Sequence, residues 1–148
     1  MQILAHKIKK LAIGWNERPF DEADFIAICR KFSITVTEMP LTMGGFYYRV
    51  RGRDFIALDS RLRGPKRLFV MFHELGHFLL HVPDSGATAN FHGVGRRTRK
   101  EKEADLFALC ALMPKRLLIE RTLEELIDDG FDRIMVNDRM TIFREKKL

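Results

Sequence analysis

Apolar residues recur along the chain at two spacings, and each spacing predicts a different kind of element. Spacings of three and four over residues 2–13 and 19–32 predict two amphipathic helices. Residues 34–37 are β-branched and alternate in polarity, which is typical of a strand. Two further short runs, 46–50 and 55–58, flank a polar segment that contains a glycine, so they predict a β-hairpin.

The second half of the chain predicts longer helices whose ends are marked by prolines. One helix is expected over residues 65–81, with Pro65 in its first turn and Pro83 just beyond its end. Another is expected over residues 99–113, where it stops before Pro114. These two segments are therefore the long helices of the predicted fold.

The order of the elements indicates an α+β fold. Residues 84–95 are rich in Gly, Ser and Asn and predict a loop, while 122–129 and 132–145 predict shorter helices. Because strands gather early and helices late, we expect a small, mostly antiparallel β-sheet that packs against the two long helices. The expected organisation is a single domain over 1–148, with a core over about 34–114 and helical segments over 1–33 and 115–148.

Composition and cysteine use favour a single folded domain in the cytoplasm. The chain has 148 residues, 46% of them hydrophobic and 31% charged, which is ordinary for a folded protein of one domain. Its longest apolar run, 106–113, is too short to cross a membrane, so no membrane partner is expected. Lys7 interrupts any secretion signal, and Cys29 and Cys110 lie in apolar stretches, as expected for reduced, buried thiols.

Net charge brings in one alternative function. The formal charge is +6, and basic residues cluster at 49–67 and 96–102, where they could attract nucleic acid or an acidic partner. No helix-turn-helix, zinc-finger or aromatic RNA-binding signature accompanies the clusters. A solvated basic surface is therefore the favoured interpretation, and a basic nucleic-acid-binding protein stays as an alternative.

The strongest chemical signal is the pattern His-Glu-x-x-His within the helix over 65–81. His73 and His77 are four residues apart, so a helix places them about 40° apart in projection and lets both rings reach one ion. Glu74 lies on the flank, where it can reach a metal-bound water as a base. Two imidazoles and one carboxylate suit Zn²⁺ and leave a fourth position for water.

The third ligand is expected on the second long helix. A third histidine in the spacing of the three-histidine zinc peptidases would fall on Pro83, which excludes that pattern. Glu101 is favoured, because Asp105 lies one turn beyond it and could hydrogen-bond a ligand histidine through its other nitrogen. Glu103 faces roughly 200° away around the helix and stays as the alternative.

Three blocks in this order resemble the ImmA/IrrE family of metallopeptidases: His73–His81 (HELGHFLLH), Glu101–Ala108 (EKEADLFA) and Ala111–Pro114 (ALMP). The resemblance implies a zincin-like fold of the gluzincin type. It also implies His73, His77 and Glu101 as zinc ligands, Glu74 as catalytic base and Asp105 as the support of a ligand histidine.

The same resemblance implies a role. It points to a zinc-dependent endopeptidase that cleaves a regulatory protein, such as a helix-turn-helix repressor or an antitoxin, and so relieves repression of phage, mobile-element or stress-response genes. A zinc-containing module that sequesters a regulator without cutting it is the alternative, although a purely structural site needs no Glu74. The pattern does not specify the oligomeric state, the cleavage site or the trigger.

Three secondary expectations concern the surroundings of the site. His92, in the loop between the long helices, is a weaker candidate for contact with the oxyanion or the substrate. His81 is expected at the end of its helix, where a cationic imidazole is favourable. The strand over 55–58 is expected to offer an edge to an extended substrate.

Overall fold

The computed structural model describes residues 2–85, 89–91 and 98–148, with side chains over 3–81 and 98–148. The described residues form an α+β arrangement with one mixed sheet. In chain order its elements are α1 (Gln2–Lys9), α2 (Glu22–Lys31), β1 (Ile34–Met39), β2 (Gly45–Val50), β3 (Arg53–Asp59), α3 (Gly64–Ser85), β4 (Ala89–Phe91), α4 (Arg99–Leu112), α5 (Lys115–Glu120), α6 (Leu123–Asp128) and α7 (Arg133–Lys146).

The sheet has the strand order β1-β3-β2-β4. Strands β2 and β3 form the predicted hairpin, and the turn residues Arg51 and Gly52 both have positive φ, as a tight two-residue turn requires. Strand β1 is parallel to β3, and β4 is antiparallel to β2, so two of the three pairings are antiparallel. The prediction of a mostly antiparallel sheet is confirmed.

Two details of the sheet differ from the prediction. Strand β3 pairs with β1 on one side and β2 on the other, so the segment 55–58 is interior and cannot offer an edge to a substrate. The predicted loop over 84–95 contains the short strand β4, which aligns Phe91, Asn90 and Ala89 with Phe46, Tyr47 and Tyr48. A three-residue strand carries no periodicity of its own, and it forms because β2 offers an edge for pairing.

Helix α3 is longer than its proline suggests. It continues to Ser85, so Pro83 lies in the last turn and not beyond the helix. A proline has no N–H to donate to the carbonyl four residues back, so the last turn of α3 forms with one backbone hydrogen bond fewer. Lys7 of α1 donates to the carbonyl of Leu80 at 3.0 Å, which ties the N-terminal helix to this end of α3.

Helices α3 and α4 pack against each other at close range. Gly76 makes this possible, since a Cβ there would lie 3.1 Å from Phe107 Cδ1 and 3.4 Å from Ala104 Cα. The sheet covers another side of α3, where the Tyr47 and Phe78 rings are 5.9 Å apart. Helix α3, which carries the His-Glu-x-x-His pattern, is therefore held between the sheet and α4.

The C-terminal helices close the core beyond α4. Helix α5 was not predicted, whereas α6 and α7 lie where the sequence places them. The side chain of Arg139 on α7 is fully buried and donates to the carbonyl of Met113 at 2.6 Å and to Asn16 Oδ1 at 3.1 Å. Among the helices that the structure describes, none is both long enough and apolar enough to cross a membrane.

Candidate metal centre

His73 and His77 face the same point from successive turns of α3. Both side chains are buried, with 0% and 1% exposure, and their Nε2 atoms are 3.1 Å apart. An uncompensated cluster of imidazoles in a core is unfavourable, because each ring nitrogen needs a donor or an acceptor. The two rings therefore require further polar partners.

Glu101 supplies those partners from the first turn of α4. One carboxylate oxygen lies 3.1 Å from His73 Nε2, and the other lies 2.9 Å from His77 Nε2. Thr98 caps the helix by accepting a hydrogen bond from the Glu101 N–H, which fixes the start of α4 and so the place of this side chain. The three residues bring their ligand atoms within 4.8 Å of one another, so they could hold a metal ion.

Asp105 lies behind the cluster, one turn further along α4. Its Oδ1 atom is 2.7 Å from Nδ1 of His73, the ring nitrogen that faces away from Glu101. A carboxylate in this position favours the ring form that carries its proton on Nδ1, and so leaves the lone pair of Nε2 directed at the cluster. The structure thus brings Asp105 to the place that its spacing from Glu101 predicts.

Glu103 does not enter the cluster. Its carboxylate lies 3.1 Å from His81 Nε2 and 2.8 Å from the Nε atom of Arg99. Burial alone would raise the pKa of Glu103, but the hydrogen bonds from His81 and Arg99 outweigh it and hold the pKa below its usual value. Of the two candidate glutamates, the structure places Glu101 beside the histidines.

The expectation that His81 caps the end of its helix is wrong. The helix runs on to Ser85, and His81 is buried with 5% exposure. Its Nδ1 atom is 3.2 Å from Nδ1 of His77, and burial lowers its pKa despite the opposing hydrogen bond to Glu103. A lowered pKa means a neutral ring at neutral pH, so His81 cannot act as a cation at the helix end.

Glu74 is the residue whose environment is least favourable to its charge. It is fully buried, and neither carboxylate oxygen has a hydrogen-bond partner of ordinary geometry among the described residues. Burial raises the pKa of Glu74 to about 8, and the nearby Glu101 carboxylate adds to the rise, while the His73 ring and the Tyr47 backbone N–H oppose it. Such a poorly compensated carboxyl group beside a ligand cluster is typical of a functional residue.

Both tyrosines of β2 have side-chain contacts within the sheet. Tyr47 is buried and donates its hydroxyl to Asp54 Oδ1 at 2.5 Å, so this hydroxyl is engaged. Tyr48 stacks on Phe55 with ring centroids 4.9 Å apart. His92, the candidate in the loop between the long helices, lies outside the described residues.

The basic cluster over 49–67 is partly neutralised by neighbouring carboxylates. Arg67 contacts Glu22 at 2.7 Å and Glu38 at 2.6 Å, and Arg61 lies 3.1 Å from Asp59. Each such pair reduces the local positive potential that would attract nucleic acid. These pairs lower the positive potential around Arg61 and Arg67, and nucleic-acid binding stays a prediction.

Sequence reasoning missed the link between His77, His81 and Glu103. A signal was present, since His73, His77 and His81 recur at every fourth residue and so follow one side of α3. Spacing within one helix gives no information on Glu103, because that residue reaches His81 only when α4 packs against α3.

Comparison with known proteins gives one family. The model of peptidase family M78, described as the IrrE N-terminal-like domain, matches residues 29–140. The matched segment begins in α2 and ends in α7, and it includes the whole ligand cluster. No curated protein and no solved structure matches the chain.

Proposed function

Because the chain belongs to the IrrE N-terminal-like family of metallopeptidases, we propose that it is a zinc-dependent endopeptidase whose metal ligands are His73, His77 and Glu101. The observation that supports this most directly is the convergence of these three side chains from two helices. Glu74, buried beside them with no hydrogen-bond partner of ordinary geometry among the described residues, is the proposed catalytic base. In fold terms we propose a zincin-like arrangement of the gluzincin type.

The donor set and its dimensions fit zinc. Ligand atoms at about 2.0–2.1 Å from a tetrahedral ion lie about 3.3 Å from one another. The nitrogen–nitrogen and nitrogen–oxygen distances in the cluster are 2.9–3.1 Å, only a few tenths of an ångström shorter. Two neutral imidazoles and one carboxylate are also the donors that zinc takes in peptidases, with the fourth position left for water.

Zinc held by His73, His77 and Glu101 would supply Lewis-acid activation of a water molecule and of the substrate carbonyl. Glu74 accepts the proton of the attacking water on its carboxylate and returns it to the amide nitrogen that leaves. Burial raises the pKa of Glu74 to about 8 in the metal-free protein, and a cation bound beside it would lower that pKa, so that the carboxylate form is available to accept the proton. Asp105 keeps the His73 ring in the orientation and proton form that the site requires.

The edge of β4 is the proposed place of an extended substrate. Strand β2 is covered by β3 and β4, so an added strand on this side of the sheet would pair with β4. The influence of the Tyr47 backbone on Glu74 puts β2 next to the base, and Asn90 of β4 pairs with Tyr47. A peptide at this edge would lie on the β4 side of the sheet, two strand positions from the Tyr47 backbone.

The proposed substrate belongs to one class of protein. We infer a regulatory protein, namely a DNA-binding repressor or an antitoxin, because the family resemblance in the ligand motifs carries that role. The two buried free thiols, Cys29 and Cys110, favour a reducing compartment, so we expect the reaction in the cytoplasm.

Cleavage is tested by comparing cells that produce the wild-type protein with cells that produce Glu74→Gln. Mass spectrometry of protein N-termini should detect new termini with the wild type only, since the amide cannot accept the water proton. The Glu74→Gln protein should still carry one zinc by elemental analysis. An identical set of termini in both cultures would contradict the peptidase assignment and favour a module that binds without cutting.

The ligand assignment has its own test. Glu101→Ala should lose zinc, whereas Lys102→Ala, an exposed neighbour on the same helix, should keep it. A full equivalent of zinc in Glu101→Ala would show that another residue completes the site.

A further inference from the structure

We propose that His81 and Glu103 form a positioning pair that holds the ring of His77 for metal binding. The inference rests on the proposed metal site and assigns two residues that take no part in the chemistry themselves. Neither side chain contributes an atom to the ligand cluster. Both act, on this proposal, through the far nitrogen of His77.

With a metal ion bound, His77, His81 and Glu103 allow one consistent arrangement of protons. Nε2 of His77, which faces Glu101 at 2.9 Å, would then give its lone pair to the ion, so Nδ1 must carry the proton. The atom facing that proton is Nδ1 of His81, at 3.2 Å, which must then be the acceptor. Because a neutral imidazole has one acceptor nitrogen, the proton of His81 must lie on Nε2.

Glu103 determines which ring nitrogen of His81 carries the proton. Its Oε2 atom lies 3.1 Å from His81 Nε2, and a carboxylate can only accept. The carboxylate therefore selects the form of His81 that accepts from His77. The sequence of hydrogen bonds runs in one direction, from His77 to His81 and from His81 to Glu103, and it leaves the metal-facing nitrogen of His77 deprotonated.

The two ligand histidines are thus supported in different ways. His73 has a carboxylate directly behind it at 2.7 Å, while His77 reaches its carboxylate through an intervening ring. Solvent exposure increases from His81, which is 5% exposed, to the Glu103 side chain, which is 14% exposed. Glu103 also lines a surface cleft of about 490 Å³ together with Lys7, Leu80, Arg99 and Lys102, so the support of His77 ends at solvent.

The test measures zinc affinity by competition with a chromophoric chelator, and the unfolding of the metal-free protein beside it. His81→Leu removes both polar atoms at similar size, and Glu103→Ala removes the outer acceptor from a less buried site. Glu103→Gln keeps an oxygen that accepts from His81, and Lys102→Ala alters the same cleft without touching the pair. The visible spectrum of the cobalt-substituted proteins reports the ligand geometry.

Loss of a partner behind a ligand histidine typically weakens metal binding by about 10–100-fold, and we expect this for His81→Leu and Glu103→Ala. Glu103→Gln and Lys102→Ala should stay within about threefold of the wild type, since they keep the hydrogen bond. The cobalt spectrum should change in the first two variants only.

A merely structural pair would give another result. His81→Leu and Glu103→Ala would then destabilise the metal-free protein and leave zinc affinity unchanged, which would overturn the inference. Equal losses in Glu103→Gln and Glu103→Ala would overturn it as well, because the hydrogen bond would not be the cause. A wild-type protein that binds no zinc would refute the proposed function itself, and the inference would fall with it.

Discussion

The site buries polar side chains that are more stable in water. Glu74 is buried where its charge finds little compensation among the described residues, and His73 and His77 bring their Nε2 atoms within 3.1 Å of each other. In the metal-free protein the buried carboxyl group of Glu74 opposes folding, because it loses water without full compensation. The site therefore trades stability for the metal-dependent function proposed for it.

The stability of the metal-free protein should depend on pH through Glu74. Its pKa is raised to about 8 in the folded state from a usual 4.5, so deprotonation in the unfolded chain lowers stability as pH rises between these values. Glu74→Gln removes this effect, and should be more stable than the wild type by roughly 3 kcal/mol at pH 7. At pH 4.5 the two proteins should be nearly equal.

Urea denaturation of both metal-free proteins at the two pH values measures the difference. A gap that is the same at pH 4.5 and pH 7 would show that the ionisation of Glu74 is not its cause.

At the scale of elements, the contact between α3 and α4 decides whether the ligands meet. Glu101 reaches the histidines because Gly76 lets the backbone of α4 approach α3 without a side chain between them. Leucine at this position would press on Phe107 and Ala104 and move the two helices apart.

We expect Gly76→Leu to destabilise the protein by about 1–3 kcal/mol, and to weaken zinc binding in addition because Glu101 moves with α4. Gly76→Ala should cost less than Gly76→Leu, since its higher helix propensity, worth about 1 kcal/mol, offsets part of the crowding of its Cβ against Phe107 Cδ1 and Cβ. Chemical denaturation and zinc competition measure both effects. Lys66→Leu, at an exposed position of α3, is the control, and an equal loss there would exclude helix separation as the reason.

The elements that the sequence predicts well are those with long periodic patterns. Helices α3 and α4 carry three or more turns of apolar spacing, and the ligand motif lies on them, so the sequence alone identifies His73, His77 and Glu101 as candidate ligands. Strand β4 has three residues and forms only by pairing with β2. Helix α5 has six, and its local pattern is too short to be distinguished from a turn.

Contacts between elements limit prediction in the same way. The parallel pairing of β1 with β3 makes β3 interior, and no property of the segment 55–58 alone announces that neighbour. Glu103 is likewise only the alternative metal ligand in the sequence, and its contact with His81 depends on the packing of two helices.

At the scale of the whole molecule, Arg139 connects three distant parts of the chain by hydrogen bonds. Its guanidinium is fully buried on α7, and it donates to Met113 at the end of α4, to Asn16 near the N-terminus and to the carbonyl of Leu148. Burial lowers the pKa of Arg139, yet the group keeps its charge because an arginine pKa starts far above neutrality. Three distant parts of the chain thus share one cation.

Arg139→Leu should destabilise the protein by about 2–4 kcal/mol, because the buried carbonyl of Met113 loses its donor and Asn16 Oδ1 keeps only the Lys115 N–H. Arg139→Lys should recover only part of this, since one ammonium group cannot replace a planar fork with several donors. Thermal unfolding measures the loss. Arg133→Leu, on the same helix but exposed, should change stability by less than about 0.5 kcal/mol, and a comparable loss there would contradict the role of the buried guanidinium.

Trp15 is the only tryptophan of the chain, and it gives the molecule an internal optical probe. Its ring stacks on Phe107 with centroids 6.0 Å apart, and its indole N–H donates to the Phe107 carbonyl at 2.9 Å. Phe107 also lies against Gly76 of α3. The emission of one indole therefore reports, without any label, on the spacing of the two helices that assemble the site.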